Sequence, residues 1–464
     1  MSGVQDKTVR IVRIIARLNV GGPARHVVWL TAGLEGEEFS TLLVSGVVPD
    51  GEDDMSYFAE EQGVRPHVIA QMSREISYRD ALTVWKLYRL LVRERPSLVH
   101  THTAKAGTVG RLAGMLYRWL TPRALLGRPR RCRLIHTYHG HIFHSYYAAS
   151  KTRLFLFIEK MLARIVTDKI IVISPQQYHE IHEKFGVGRP AQFAVIPLGL
   201  DLALFADWTS RRAVLRAELE ADKSEVLVGI VGRLTEIKNH ALFLRAAALY
   251  KREAQERAPE TAGESALDAR KSVPRVRFLV IGDGHLRAEL ERLARELGLE
   301  DDVIFTGTRN DPQNFYPALD IVALTSLNEG TPLTLIEAMA NERAVLATGV
   351  GGVVDLLGRK REALDQRGAV ELCERGLLVR PGDVEGFARG LAFLIENAET
   401  RRELGQRARV FVEGNYSKER LLRDVSKLYR ELVYESPGVG VKRLESKAQA
   451  STSKFGNQEL DSRL

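Results

Sequence analysis

The sequence predicts an α/β protein of two doubly wound domains that face each other across a cleft. Two observations carry that expectation. Short apolar, β-branched runs alternate with stretches whose apolar residues recur every three to four positions, which is the pattern of strand–helix crossover units. The alternation then stops over "IPLGLDLALFADWTSRRAVLRAEL", which holds no strong strand, and starts again. A length of 464 residues is also too great for one ordinary core.

Taken in order, residues 9–15 (VRIVRII), 41–46, 98–101, 133–138, 169–173 and 194–197 read as strands of a first domain, with helices such as 78–93 between them. The strand-free interval places the junction near residue 205, so the first domain is 1–204 and the second 205–416. Strands of the second domain are expected at 226–231, 277–281, 303–306, 321–325, 344–348 and 377–379. Residues 251–275 are polar and interrupt a helix-to-strand step, which reads as a surface insertion. An amphipathic helix is expected over 417–434, within a closing segment 417–435. Residues 436–464, rich in Ser, Lys and Gly without a period, read as a disordered tail.

Composition narrows the class. Hydrophobic residues make up 45% of the chain, enough for globular cores. The two cysteines, Cys132 and Cys373, stand far apart, so neither a disulfide framework nor a zinc site is implied, and a reducing compartment fits. We find no secretory signal pattern at the N-terminus and no window near twenty apolar residues, so a soluble or peripheral protein is expected. The formal charge of +8 admits nucleic acid, an anionic membrane or a phosphorylated ligand. Zinc-finger spacing and aromatic RNA-binding motifs are missing, so no nucleic-acid partner is expected.

The chemistry concentrates at strand ends. "NEGTPLTLIEAM" (328–339) places Glu329 in a strand-to-helix loop and Glu337 inside the following helix, which is expected to begin near Pro332. Carboxylates only accept hydrogen bonds, so two of them suit sugar hydroxyls, while the unpaired amides around Thr331–Thr334 suit an anion. Acids that merely complement a helix N-terminus would also fit, although not one placed before a Gly-Thr-Pro turn. In "GIVGRLTEIKNH" (229–240), Arg233 and Lys238 follow a strand end, five apart, where two cations could neutralise a diphosphate. In "RLNVGGPARHV" (17–27), Gly21 and Gly22 would let backbone amides approach a ligand; the dinucleotide GxGxxG is missing. His136, His139, His141 and His144 lie in "HTYHGHIFHSYY" without acidic or cysteine partners, which argues against a metal; His139, just before a glycine at a strand end, is placed at the cleft. In "LVHTHTAKAGTVGRLAG" (98–114), His100, His102, Thr103 and Lys105 could face the cleft, or Thr103 could be a helix N-cap and Gly107 a packing residue.

Together these motifs resemble the family 4 glycosyltransferases (glycosyl transferases group 1), retaining enzymes of the GT-B fold with two Rossmann-like domains. The resemblance covers most of residues 9–434. It is carried by Gly21-Gly22, "TYHGH", "VIPLGLDLALF", "VGRLTEIKN", "FLVIGDGHLRAELERLA", "VIFTGTRNDPQNFYPALDIVALTSLNEGTPLTLIEAMA" and "GVGGVVDLL", in that order. It implies that Glu329 and His139 contact the transferred sugar and that Glu337 takes the ribose hydroxyls. Arg233 and Lys238 would bind the diphosphate, with Gly22 approaching the phosphate. Arg309 and Asn310 would lie at the base, and Gly330, Thr331, Pro332 and Leu333 would line the sugar and phosphate region. The last helix would cross back to the first domain. Two positions depart from the family: Asn239 replaces a glycine, and Leu198-Gly199 replaces Asn-Gly between the domains.

The resemblance implies transfer of a hexose from a UDP- or GDP-linked sugar to a sugar or lipid-linked acceptor, in cell-surface polysaccharide or glycolipid synthesis. The reaction would retain anomeric configuration and use neither a metal nor a separate cofactor. The rival readings are a GT-B nucleotide-sugar 2-epimerase and a nucleotide-sugar-binding protein without turnover. The implied location is the cytoplasm, with the inner face of the cell membrane as a peripheral site. The basic stretch 111–133, where seven arginines interleave with Tyr117 and Trp119, could meet an anionic membrane or be a solvated loop.

Overall fold

The computed structural model describes residues 8–19, 21–49, 54–72, 79–140, 149–257, 274–364 and 368–434. Seven strands form a first, all-parallel sheet: β1 (Val9–Ile14), β2 (Phe39–Ser45), β3 (His67–Val68), β4 (Leu98–His102), β5 (Arg133–Thr137), β6 (Lys169–Val172) and β7 (Phe193–Val195), in the order β3-β2-β1-β4-β5-β6-β7. Eight form the second: β8 (Val226–Val231), β9 (Val276–Ile281), β10 (Val303–Gly307), β11 (Ile321–Leu324), β12 (Ala344–Thr348), β13 (Lys360–Ala363), β14 (Val370–Cys373) and β15 (Leu377–Val379). Their order is β10-β9-β8-β11-β12-β15-β14-β13, and only the β13–β14 and β14–β15 pairs are antiparallel. Both sheets are doubly wound and reverse direction beside their first strands, which is where such sheets open a ligand crevice.

The helices that matter below are α1 (Gly22–Leu34), α2 (Arg79–Glu94), α3 (Ala104–Trp119), α4 (Ala149–Ile165), α5 (Trp208–Glu218), α6 (His240–Arg257), α7 (Leu333–Ala340) and α8 (Lys418–Tyr434). Parallel strands covered on both faces must be buried throughout. All five residues of β4 are buried, including His100 and His102, and so are all five of β12. Each fully buried Leu, Ile or Val in these cores contributes roughly 1.5–3 kcal/mol.

Several expectations shift. The helix before the proposed insertion continues to Arg257, so 251–257 form its last turns; residues 258–273 lie outside the described ones, as does the 436–464 tail. Strand β3 and the β13–β14 hairpin were not expected. β3 has two exposed residues and β13 four, too few and too polar to show an apolar period. Pro332 is extended (φ −73°, ψ 116°) and precedes the helix as its N-cap; Leu333 is the first helical residue.

Helix α8 returns to the first domain. Leu421, Val425, Leu428 and Tyr429 pack with Val9, Ile11, Leu30 and Phe39. Its first turn clamps the interdomain segment: Arg420 donates to the carbonyls of Pro197 and Leu198, and Lys418 pairs with Asp201 at 2.6 Å. A Cβ on Gly199 would sit 2.7 Å from that of Leu421, so the glycine serves the close approach of α8.

Candidate active site in the interdomain cleft

The C-terminal strand ends of the two sheets face each other, and their loops touch. A Cβ on Gly22, at the start of α1, would lie 3.1 Å from Leu333 Cδ1 at the start of α7. One on Gly330 would lie 3.1 Å from the His139 carbonyl and 3.3 Å from Gly140 Cα. Arg25 of α1 reaches Glu337 of α7 at 3.7 Å. Gly22, His139, Gly330, Leu333 and Glu337 are therefore brought together from both domains.

On the second domain's side, charge is held in a network. Glu329 Oε1 accepts from Lys238 Nζ and from Ser326 Oγ, each at 2.6 Å. Both bonds fall on one oxygen, and Oε2 has no hydrogen-bond partner among the described residues. Lys238 closes a short 3-10 turn whose next residue, Asn239, is left-handed (φ 50°). Asparagine tolerates that region better than other non-glycine residues, which accounts for its standing where the family has glycine. Arg233 is exposed and has no ion-pair partner among the described residues. Glu337 is 9% exposed, accepts from Tyr316 Oη at 2.8 Å and has its carboxyl pushed up by burial, against the opposing pull of Tyr316 and Arg25.

Helices α1 and α7 point their N-termini at the same place. Their first N–H groups lack intrahelical partners and carry partial positive charge, so the two ends together favour an anion between them. At the start of α7, Thr331 and Thr334 have buried hydroxyls with no partner among the described residues. Buried, unpaired hydroxyls cost stability unless something else bonds them.

The first domain's side is a layer of neutral imidazoles. His102 Nδ1 and His139 Nε2 are 2.9 Å apart, and the His26 and His139 ring centroids 4.8 Å apart. His100 bonds Tyr429 Oη at 2.6 Å and Thr137 Oγ1 at 2.7 Å, so the layer is tied to α8. Burial depresses all of them, His139 to about 3, so at neutral pH they are uncharged. His26 Nδ1, His102 Nε2 and His139 Nδ1 are buried without partners among the described residues. Of the described residues, only His26, His102 and His139 group nitrogens closely enough for a metal, within 4.8 Å of one another. The His102–His139 contact is already a hydrogen bond, which occupies one nitrogen of each ring. His136 instead bonds Thr101 at 2.9 Å, and His141 and His144 lie outside the described residues.

Other expected residues stand apart from this centre. Arg309, beyond the edge strand β10, is bound by Asp311 and Glu218, and Asn310 is exposed beside it. Lys105 pairs with Asp80 at 2.8 Å. Thr103 precedes α3 with φ 66° and makes no capping bond, so the N-cap reading fails. Gly107 does pack closely, 2.4 Å from His136 Cε1 for an added Cβ. Sequence reasoning passed over Arg25, His26, Ser326 and Tyr316. The first two had a signal: they lie three and four residues after Gly22 and so share its helix face. Tyr316 had none, since it reaches Glu337 only through the fold.

Residues 20–204 match the family model described as Glycosyltransferase Family 4, and residues 211–411 the model described as Glycosyl transferases group 1. The Escherichia coli UDP-Gal:alpha-D-GlcNAc-diphosphoundecaprenol alpha-1,3-galactosyltransferase is 27% identical over 330 residues, 69% of this chain and 77% of that protein. The putative glycosyltransferase EpsD of Bacillus subtilis is 26% identical over 318 residues, 67% of this chain and 71% of its own. Among solved structures, Anabaena HepE in complex with UDP matches with a TM-score of 0.70 at 19% identity, over 92% of this chain and all of that one. Sucrose-phosphate synthase from Thermosynechococcus elongatus matches with a TM-score of 0.66 at 22% identity, over the same shares. The fold is therefore GT-B.

Proposed function

Since the chain belongs to the family 4, group 1 glycosyltransferases, which act on nucleotide sugars, we propose that it transfers a hexose from a UDP-linked donor to a lipid-linked sugar acceptor, with retention and without a metal. The observation that carries this reading is the Glu329–Lys238 pair in the loop just before α7, with Oε2 of Glu329 unbonded among the described residues, in a cleft where the starts of α1 and α7 meet.

The residues divide the work by charge. The amides of Gly21 and Gly22, those at the start of α7, and the side chains of Lys238 and Arg233 would bind the diphosphate. As the glycosidic bond breaks, negative charge grows on the leaving phosphate, and preorganised donors stabilise that charge more than they stabilise the bound donor. The free Oε2 of Glu329 would accept sugar hydroxyls and fix the ring. His139, uncharged, would offer its open Nδ1 to another hydroxyl without repelling developing positive charge on the sugar. Glu337 would take ribose hydroxyls by giving up its distant contact to Arg25. The leaving phosphate would help draw the proton from the acceptor hydroxyl on the same face, which gives retention. Contacts at Gly22–Leu333 and Gly330–His139 close the cleft and limit hydrolysis.

The name of the Escherichia coli relative specifies UDP-galactose and a diphosphoundecaprenol-linked acceptor, and HepE has been solved with UDP, which supports the uracil base and a lipid-linked acceptor. The test is a thermal-shift panel of UDP- and GDP-sugars, followed by product analysis with a diphosphate-lipid sugar acceptor. A UDP-hexose that stabilises wild type but not Glu329→Ala, and whose product keeps the donor's anomeric configuration, is expected. Donor converted to an epimer with no acceptor present would overturn the reading, as would equal stabilisation of both proteins.

A further inference from the structure

The first domain leaves a large apolar surface uncovered on the face built by α2, α3 and α4. Helix α4 exposes Leu154, Phe157, Met161 and Ile165, spaced three, four and four apart and so on one stripe. Phe157 is 65% and Ile165 68% exposed. The other side of α4 already packs into the fold through Leu162 and Ala163, so the stripe is a second apolar face. Beyond the end of α3, Leu125 is 90% and Leu126 79% exposed, next to exposed Trp119 and Leu120. The two patches adjoin: Arg118, beside Trp119, pairs with Asp168, three residues past Ile165.

The charges around this surface are one-sided. Of the seven arginines in 111–133, Arg111 is buried against Glu159, Arg118 and Arg133 share Asp168, and Arg130 donates to the Tyr117 carbonyl. Arg123, Arg128 and Arg131 are exposed with no ion-pair partner among the described residues. Helix α4 adds exposed Arg153 and Arg164, and its single acid, Glu159, is buried. An apolar stripe flanked by exposed arginines complements a bilayer of anionic lipid: hydrocarbon below, phosphates around it.

We propose that this face docks the enzyme on an anionic membrane, with the α4 stripe and the 119–126 corner entering the headgroup boundary. Helix α4 starts on the cleft side of β5 and ends before β6, so the stripe runs from the cleft rim down the domain. A lipid-linked acceptor would then reach the cleft along the bilayer surface. The role given to the acceptor rests on the transferase reading above; the surface itself does not.

The experiment is flotation of the full chain with phosphatidylglycerol/phosphatidylethanolamine vesicles and with neutral phosphatidylcholine vesicles. Wild type is compared with Leu125→Ser/Leu126→Ser/Phe157→Ser and with Arg123→Ser/Arg128→Ser/Arg131→Ser. All six positions are exposed, so the fold is kept, checked by the thermal midpoint and the donor-induced shift. Wild type should float with anionic vesicles only, with binding falling roughly fivefold per arginine removed, and the apolar variant should float poorly on both. Equal flotation of all three proteins, or wild-type binding that ignores lipid charge, would overturn the proposal. So would a wild-type dimer that the variants lose, without vesicle binding, since a second copy would then own the face. A donor shift missing from wild type while flotation persists would sink the transferase reading and leave the docking surface standing.

Discussion

The two walls of the cleft solve the same problem in opposite ways. The second domain presents charge and keeps it in place with neighbours: Lys238 and Ser326 hold Glu329, while Tyr316 and Arg25 hold Glu337. The first domain presents titratable rings and removes their charge by burying them. A donor with a diphosphate and a neutral sugar needs both walls. Fixed charges and helix ends suit the leaving group, and uncharged hydrogen-bonding groups suit the sugar. The difference also predicts which wall is robust to substitution and which to pH.

The charged wall should give the largest effects. Glu329→Ala and Lys238→Ala should each lower kcat/KM by about 10²–10³, as expected for removing one preorganised group at the reacting centre. Glu329→Ala leaves Lys238 part-exposed, so its thermal midpoint should move little, whereas Lys238→Ala strands a carboxylate whose side chain is 11% exposed and should lower the midpoint as well. Initial rates with a saturating acceptor check this. A loss below tenfold in either variant would mean that the pair is structural. Next comes the contact between the walls. Gly330→Val adds atoms that would meet the His139 carbonyl and Gly140 Cα, both backbone, so the loops must separate. A misplacement of about 1 Å should cost roughly 10² in kcat while leaving the donor-free fold intact. Increased hydrolysis relative to transfer would show that water enters the opened cleft.

How far each wall could be foreseen also differs. Glu329, Glu337, Arg233 and Lys238 sit in loops and a helix start directly after recognisable strands, so their positions follow from a short local pattern. The imidazole layer draws on α1, β4 and the loop after β5, and no window of sequence contains two of its three closest members, His26, His102 and His139, in a shared period. The β13–β14 hairpin escaped for a related reason, since both strands have only four residues and β13 is exposed throughout, too little to print a period. Arg309 shows a different limit: its motif is local and clear, but its ion pairs with Asp311 and Glu218 are set by the fold and no local pattern announces the Glu218 partner.

The walls should separate in their response to acid. The folded histidines have pKa values depressed by burial, whereas in the unfolded chain they titrate near 6.5. Below that pH the unfolded state takes up protons that the folded state refuses, so stability falls as pH drops from about 6.5 toward 3, by up to ~1.4 kcal/mol per pH unit per histidine. Glu337 runs the other way. Its raised pKa means that the folded state holds the proton more tightly, so its contribution is present at low pH and lost as pH rises through the folded value. His139→Gln should therefore flatten the decline of the urea midpoint between pH 6.5 and 4, whereas Glu337→Gln should steepen the net decline. Parallel pH profiles for wild type and His139→Gln would show that the ring is charged in the folded protein.

The smallest effects lie in the supports of Glu337, and they rank its two neighbours. Tyr316 is fully buried and donates at 2.8 Å, so Tyr316→Phe leaves a buried carboxylate short of a donor and should cost about 1–3 kcal/mol. Arg25 is part-exposed and stands at 3.7 Å, so solvent screens the attraction and Arg25→Gln should cost less than about 1 kcal/mol. Urea midpoints order the two variants. Arg25 nonetheless comes from the opposite wall, so its loss should weaken closure and raise the donor KM more than Tyr316→Phe does. If Arg25→Gln proved the more destabilising, the contact between the walls would be tighter than its distance indicates, and the cleft would be held shut by an ion pair rather than by the packing of Gly22 on Leu333.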